Sequence, residues 1–88
     1  MIIELRGILK IIYTEEKITD TMSKKEIVIT VDHDQQYPQD IIVQALNKQI
    51  DQLDSFRMGD MVIAKVNLKG REHNGRYFNQ FTLWTIQK

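Results

Sequence analysis

Cysteine is absent from this 88-residue chain, so neither a disulfide frame nor a thiolate metal site can reinforce its core, and a reducing cytosol suits it. Proline occurs once and glycine four times, and no linker, low-complexity tract or internal repeat interrupts what reads as one domain, residues 1–88. A chain of this size buries roughly 60 to 65% of its unfolded surface, so one thin core must hold everything. Long apolar runs are missing too. The opening Met1-Ile2-Ile3 is broken by Glu4, Arg6 and Lys10 before a signal sequence or membrane span could form, which leads to the expectation of a soluble cytoplasmic protein with no membrane partner. An excess of one charge is also lacking. Twelve basic and twelve acidic residues cancel, removing the global attraction on which strongly basic nucleic-acid binders draw.

What is present is alternation. Ile2 to Tyr13 alternates apolar and polar residues around Gly7, as expected of a strand that bends where a side chain would obstruct. Thr14 to Ser23 has no sustained period and reads as a loop. Lys24 to Val31 predicts a second strand, with Ile27, Ile29 and Val31 inward and Glu26, Val28 and Thr30 outward. Pro38 should hold Tyr37 extended before a third strand, Gln39 to Leu46. Asn47 is a candidate N-cap, and Leu46, Ile50 and Leu53 share one face of a helix of about two turns.

Beyond Phe56 a Gly59-Asp60 turn opens the fourth strand, in which Val62, Ala64, Val66 and Leu68 alternate with Met61, Ile63, Lys65, Asn67 and Lys69. Asn74-Gly75 supplies the positive φ angles of a tight hairpin turn, and Arg76 to Gln87 returns as the fifth strand. Tyr77 and Phe78 are adjacent and face opposite ways, which predicts that at least one joins the core; Trp84 is also expected to pack. Strand, strand, strand, short helix, strand, strand is the order of the OB-fold, an all-β, five-stranded Greek-key barrel with its helix between strands three and four. An SH3-like barrel is the rival, but it usually lacks a helix there and opens with shorter strands.

Several motifs together resemble a family of small bacterial OB-fold proteins of unassigned function, grouped by similarity with single-stranded DNA-binding and primosomal proteins. The resemblance runs nearly end to end through Gly7, Gln36-Tyr37-Pro38-Gln39, Ile50-Asp51 with Leu53, and Phe56 with Gly59-Asp60. Its most specific part is Gly70-Arg71-Glu72, then Asn74-Gly75-Arg76-Tyr77-Phe78, closing with Trp84-Thr85-Ile86. Two features depart from the pattern. Relatives usually carry tryptophan where this chain has His73, and some carry large aromatics where it has Val43, Ala45 and Leu46. The resemblance implies an OB-fold and an affinity for single-stranded DNA.

The charges, although balanced, are segregated. Asp32 to Asp54 holds five aspartates against Lys48 alone, whereas Lys65, Lys69, Arg71 and Arg76 face only Glu72 in their own stretch. Binding a single strand takes cations to follow phosphates and flat π-faces on which bases stack. The candidate nucleic-acid-binding residues are therefore Lys24, Tyr37, Lys69, Arg71, His73, Arg76 and Tyr77, in a non-enzymatic module of low sequence specificity. Catalysis finds no motif. His33 lies between Asp32 and Asp34 without a second histidine or cysteine at ligand spacing, and Glu72 beside His73 is no oriented acid–base pair, so neither metal nor cofactor is expected. Outward Val28, Ile42, Met61 and Ile63 leave a semi-apolar surface, which keeps open a protein-interaction module, a homodimer or a higher oligomer without nucleic acid.

Overall fold

In the computed structural model, which describes residues 1–88, the alternating segments become strands whose register follows the predicted parity. They are β1 (Ile2–Ile12), β2 (Glu16–Thr19), β3 (Met22–Val31), β4 (Gln39–Leu46), β5 (Met61–His73) and β6 (Arg76–Gln87). The sheet runs β1-β5-β6-β4-β3-β2, and a further β1–β3 pairing closes it into a barrel. Setting the short β2 aside, this is the five-stranded OB-fold that the sequence predicts, with its helical segment between the third and fourth long strands. No helix is long and apolar enough to cross a membrane.

Closure depends on β1 serving two partners. Ile2 to Ile8 pair with β5, and Gly7 to Ile12 pair with β3, with a bulge between Leu9 and Ile11. Gly7 belongs to both pairings, opposite Val62 and Val31. A Cβ on Gly7 would lie 2.0 Å from the Thr30 carbonyl oxygen, so only glycine lets the strands approach there. Immediately beyond, the Leu9 N–H donates to the Asp60 carbonyl at 2.8 Å, and the Gly59 N–H donates to the Leu9 carbonyl at 2.7 Å. The turn before β5 is thereby tied to the strand that β5 pairs with.

Inside the barrel lies one cluster of buried aliphatics, with Leu9, Ile27, Ile29, Val43 and Val66 wholly inaccessible. One end is plugged by a 3₁₀ helix, Asn47–Ser55, which buries Ile50 and Leu53. Spacing of three matches the repeat of a 3₁₀ helix, so the two side chains fall on one line. Asn47 is not its N-cap. Its φ of 49° is left-handed, whereas a cap residue is extended, and its Oδ1 instead accepts the Ser23 N–H at 3.0 Å. Gln52 links the plug to β6, where Trp84 is the extra residue of a bulge opposite Lys65 and Val66. Its Nε2 donates to the Trp84 carbonyl at 2.9 Å and its Oε1 accepts the Ile86 N–H at 3.2 Å.

Four further expectations are corrected. Part of Thr14 to Ser23 is ordered as a hairpin, since Glu16–Thr19 pairs with the start of β3. Val28 has outward parity yet is only 9% exposed, because Ile11 and Ile42 flank it in register. Neither Tyr77 nor Phe78 enters the core: they are 78% and 48% exposed, and Trp84, expected to pack, is 51% exposed.

On the outside, one ion-pair network spans three strands. The Lys10 ammonium and the Thr30 hydroxyl each donate to Asp40 at 2.7 Å, and these hydrogen bonds hold the Asp40 carboxyl below the usual aspartate range. A depressed carboxylate pKa adds stability that is present above its unfolded value and lost as the pH falls through its folded one. In an NMR titration the Asp40 carboxyl should titrate below the usual aspartate range, and Lys10→Met should raise its midpoint. Gly7→Ala should lower stability by about 1–3 kcal/mol or more in urea unfolding, the range for forcing atoms into a packed site. An unchanged midpoint would show that β1 closes the barrel with slack.

Candidate nucleic-acid interface

Strands β5 and β6 outrun their neighbours. β1 gives out at the bond from the Leu68 N–H to the Met1 carbonyl, and β4 meets β6 in register only at Gln44 opposite Thr82. From Lys69 to Gln80 the chain is therefore a two-stranded ribbon with both edges open. It turns at Asn74 and Gly75, whose φ values of 52° and 78° are those of the type I′ turn that Asn-Gly favours.

Register sorts the side chains, since residues directly opposite share a face and alternate residues along a strand do too. Lys69 opposes Gln80, Arg71 opposes Phe78 and His73 opposes Arg76, so all six lie on the outward face. Glu72 and Tyr77 oppose each other on the reverse face, which runs back through Leu68 and Phe81 to the core. The ribbon thus collects Lys69, Arg71, His73 and Arg76 around one exposed phenyl ring. Phe78 is a stacking candidate that the sequence reading left in doubt between core and surface.

These cations are uncommitted. The ion pairs of the molecule are Arg6 with Glu4, Lys10 with Asp40 and Lys88 with Asp60, and none involves Lys69, Arg71 or Arg76. Lys69, Arg71, Phe78 and Gln80 line a groove of about 500 Å³. At Asn79 and Gln80, residues that line both, it adjoins a second groove of about 440 Å³, between β4 and β6, lined by Glu26, Asp40, Gln44, Ile42 and Phe81.

The remaining predicted residues are dispersed. Tyr37 is 72% exposed in the loop before β4, with its hydroxyl accepting the Gln36 Nε2 at 3.3 Å. Because β4 and β6 run parallel, that loop and the ribbon tip lead toward the same end of the barrel. Tyr77 is on the ribbon but on the reverse face. Lys24 lies at the other end of the β3–β4 pair, opposite Leu46, and borders a small groove with Tyr13 and the acids Glu15, Glu16 and Glu26. Tip cations and Lys24 therefore flank the outer β3–β4 face from opposite ends.

Comparison with solved structures finds the same architecture. The mitochondrial single-stranded DNA-binding protein Rim1 of S. cerevisiae superposes with a TM-score of 0.81 at 16% identity, over 99% of this chain and 92% of that one. A second crystal form of Rim1 gives 0.80 at 15% identity, covering 98% and 90%. A small single-stranded DNA-binding protein from Streptomyces coelicolor gives 0.60 at 16%, covering 99% and 90%. Likeness at such identity is one of fold. No curated protein matches the sequence. A family model does match, over residues 4–87, and the chain accordingly belongs to DUF3127, a domain of unknown function.

Proposed function

We propose that this protein binds single-stranded nucleic acid, DNA in the first instance, as a non-enzymatic module with the outward face of the β5–β6 ribbon as its contact. The observation that carries this reading is the set of unpaired cations, Lys69, Arg71 and Arg76, around exposed Phe78 on a solvent-exposed ribbon face. Lys69 and Arg71 are two residues apart, about 7 Å along the strand, and can meet successive phosphates. Phe78 and His73 offer rings to bases, a stack being worth about 1–3 kcal/mol. Tyr77 can join only if the strand wraps the ribbon edge. Tyr37 and Lys24 extend the track over the two ends of the β3–β4 face. The single-stranded DNA-binding proteins of like fold support the same reading.

Zero net charge does not oppose it. Charges are screened beyond about 8–10 Å at physiological salt, and the molecule is 38 × 32 × 20 Å, so the local field over the ribbon decides. Three phosphate contacts correspond to a log-log salt slope of about −2 for a single strand, or roughly a twentyfold loss of affinity from about 50 to 200 mM salt. A fluorescence titration with oligothymidine should show that slope. Arg71→Ala should flatten it by about 0.7 and weaken all sequences alike. A slope of zero would contradict phosphate neutralisation.

A second reading, self-association, is favoured by the free edge of β1. Pairing with β3 begins only at Gly7, and the Met1–Leu68 bond directs the backbone groups of Ile2, Glu4 and Arg6 away from β5. An uncovered strand edge beside half-exposed Ile2 and Met61 is a pairing template. Antiparallel addition of a second copy can set Glu4 against Arg6 in both directions. Sedimentation equilibrium should then give twice the 10.4 kDa chain mass, and Arg6→Glu should lower the association constant. A strict monomer across micromolar concentrations would remove this reading and leave the first intact.

A further inference from the structure

The groove between β4 and β6 contains carboxylates where a strand-binding surface would be expected to carry cations. Glu26 is half-buried, stands opposite Gln44 in the β3–β4 register and takes part in none of the ion pairs. Asp40, in the same groove, is committed: one carboxylate oxygen accepts from Lys10 and the other from Thr30. No lysine or arginine lines this groove, whereas Lys69 and Arg71 line the adjoining one. The unpaired Glu26 carboxylate disfavours a phosphate in the first, and Lys69 and Arg71 attract one to the second. A strand crossing both must direct its backbone to the ribbon and its bases toward Glu26.

We propose that Glu26 and Gln44 together read the Watson–Crick edge of guanine, an inference that rests on the nucleic-acid reading above. The chemistry is that of matched donors and acceptors. Guanine is the one common base with two adjacent donors on that edge, N1–H and the N2 amine, followed by an acceptor, O6. A free carboxylate takes two parallel N–H donors, as it does from arginine. The Gln44 amide, held beside Glu26 by cross-strand pairing, supplies the N–H for O6. Its only hydrogen bond is a long one to the Thr82 Oγ1 at 3.4 Å, and its second N–H is uncommitted. Ile42 and Phe81 supply the apolar wall against which the base lies, in a groove of about 440 Å³. Thymine presents a lone donor between two carbonyl oxygens to the same carboxylate. Cytosine and adenine each offer one exocyclic amine and no second donor next to it. Single-stranded bases are free to be read on this edge, unlike bases in a duplex.

The test is a set of anisotropy titrations at one salt concentration, using oligothymidine, the same oligomer with isolated guanosines, and a version with inosine in place of each guanosine. Inosine keeps N1–H and O6 and lacks only the amine. The guanosine oligomer should bind about tenfold tighter than oligothymidine, within the range measured for a bidentate base contact, and inosine should forfeit most of that gain. Glu26→Gln should erase the preference while holding or raising affinity for oligothymidine, because a negative charge leaves the groove. Retention of the wild-type salt slope by that variant would show that its ribbon and fold are intact. Asp40→Asn, whose oxygens are already engaged, should keep the preference. Equal binding of guanosine and thymidine oligomers, or a preference that survives Glu26→Gln, would overturn the assignment and leave the ribbon reading standing. Failure of all three oligomers to bind at low salt would end the nucleic-acid reading, and this inference with it.

Discussion

The close approach of β1 and β3 at Gly7 is the constraint on which the rest of the molecule depends. One strand can belong to both halves of a barrel only if it passes from one partner to the other without a side chain between them. At Gly7 the Thr30 carbonyl occupies the space a Cβ would fill. Once that crossing is made, the Leu9 bonds to Gly59 and Asp60 fix where β5 starts, and the start of β5 fixes its register against β1. Burial of the Leu9, Ile27, Ile29 and Val66 side chains then follows from parity.

The ribbon is a consequence of unequal strand lengths. β5 has thirteen residues and β6 twelve, while β1 reaches only to Asn67 in register with β5. A two-stranded hairpin alone is marginal in water, so this one is held at its base, where Phe81 packs on the core, and at its tip, where the Asn-Gly turn matches the strand twist. Between those points nothing covers either face. Its cationic and aromatic side chains stay in solvent, and in the proposed reading the ribbon is a surface for a ligand as well as a part of the fold.

Much of this architecture was legible in the sequence because alternation has a period of two and a β-register has no other. Four of the five long strands begin and end within two residues of their predicted limits, and Asn74-Gly75 announced its turn through the φ angles it tolerates. Other features depend on partners that are far away in the sequence. The exposure of Tyr77 and Phe78 follows from where β1 and β4 stop, and the burial of Val28 from which residues flank it. The left-handed Asn47 answers to the Ser23 N–H, and the role of Gln52 to a bulge on β6. At the candidate site, the sequence correctly grouped Lys69, Arg71, His73 and Arg76 on one hairpin. It could not place Tyr77 behind them, Lys24 at the far end or Phe78 among them, because those relations are set by register and pairing, not by spacing along the chain.

A neutral chain can hold a polyanion more selectively than a basic one. Were the cations spread over the surface, phosphates would find weak sites everywhere and the strand would have no preferred path. In the proposed reading the free Glu26 carboxylate of β3 keeps phosphate out of the groove between β4 and β6, and Lys69, Arg71 and Arg76 draw it to the ribbon, with screening confining each effect to its own neighbourhood. The two grooves meet at Asn79 and Gln80, residues that line both. In that reading a strand lying on the boundary would be oriented by charge before any base is recognised, with its backbone toward the ribbon and its bases toward the carboxylate. On the proposed reading, segregated charge within a balanced composition would set the direction in which the ligand lies, and the local excess of cations how tightly it is held.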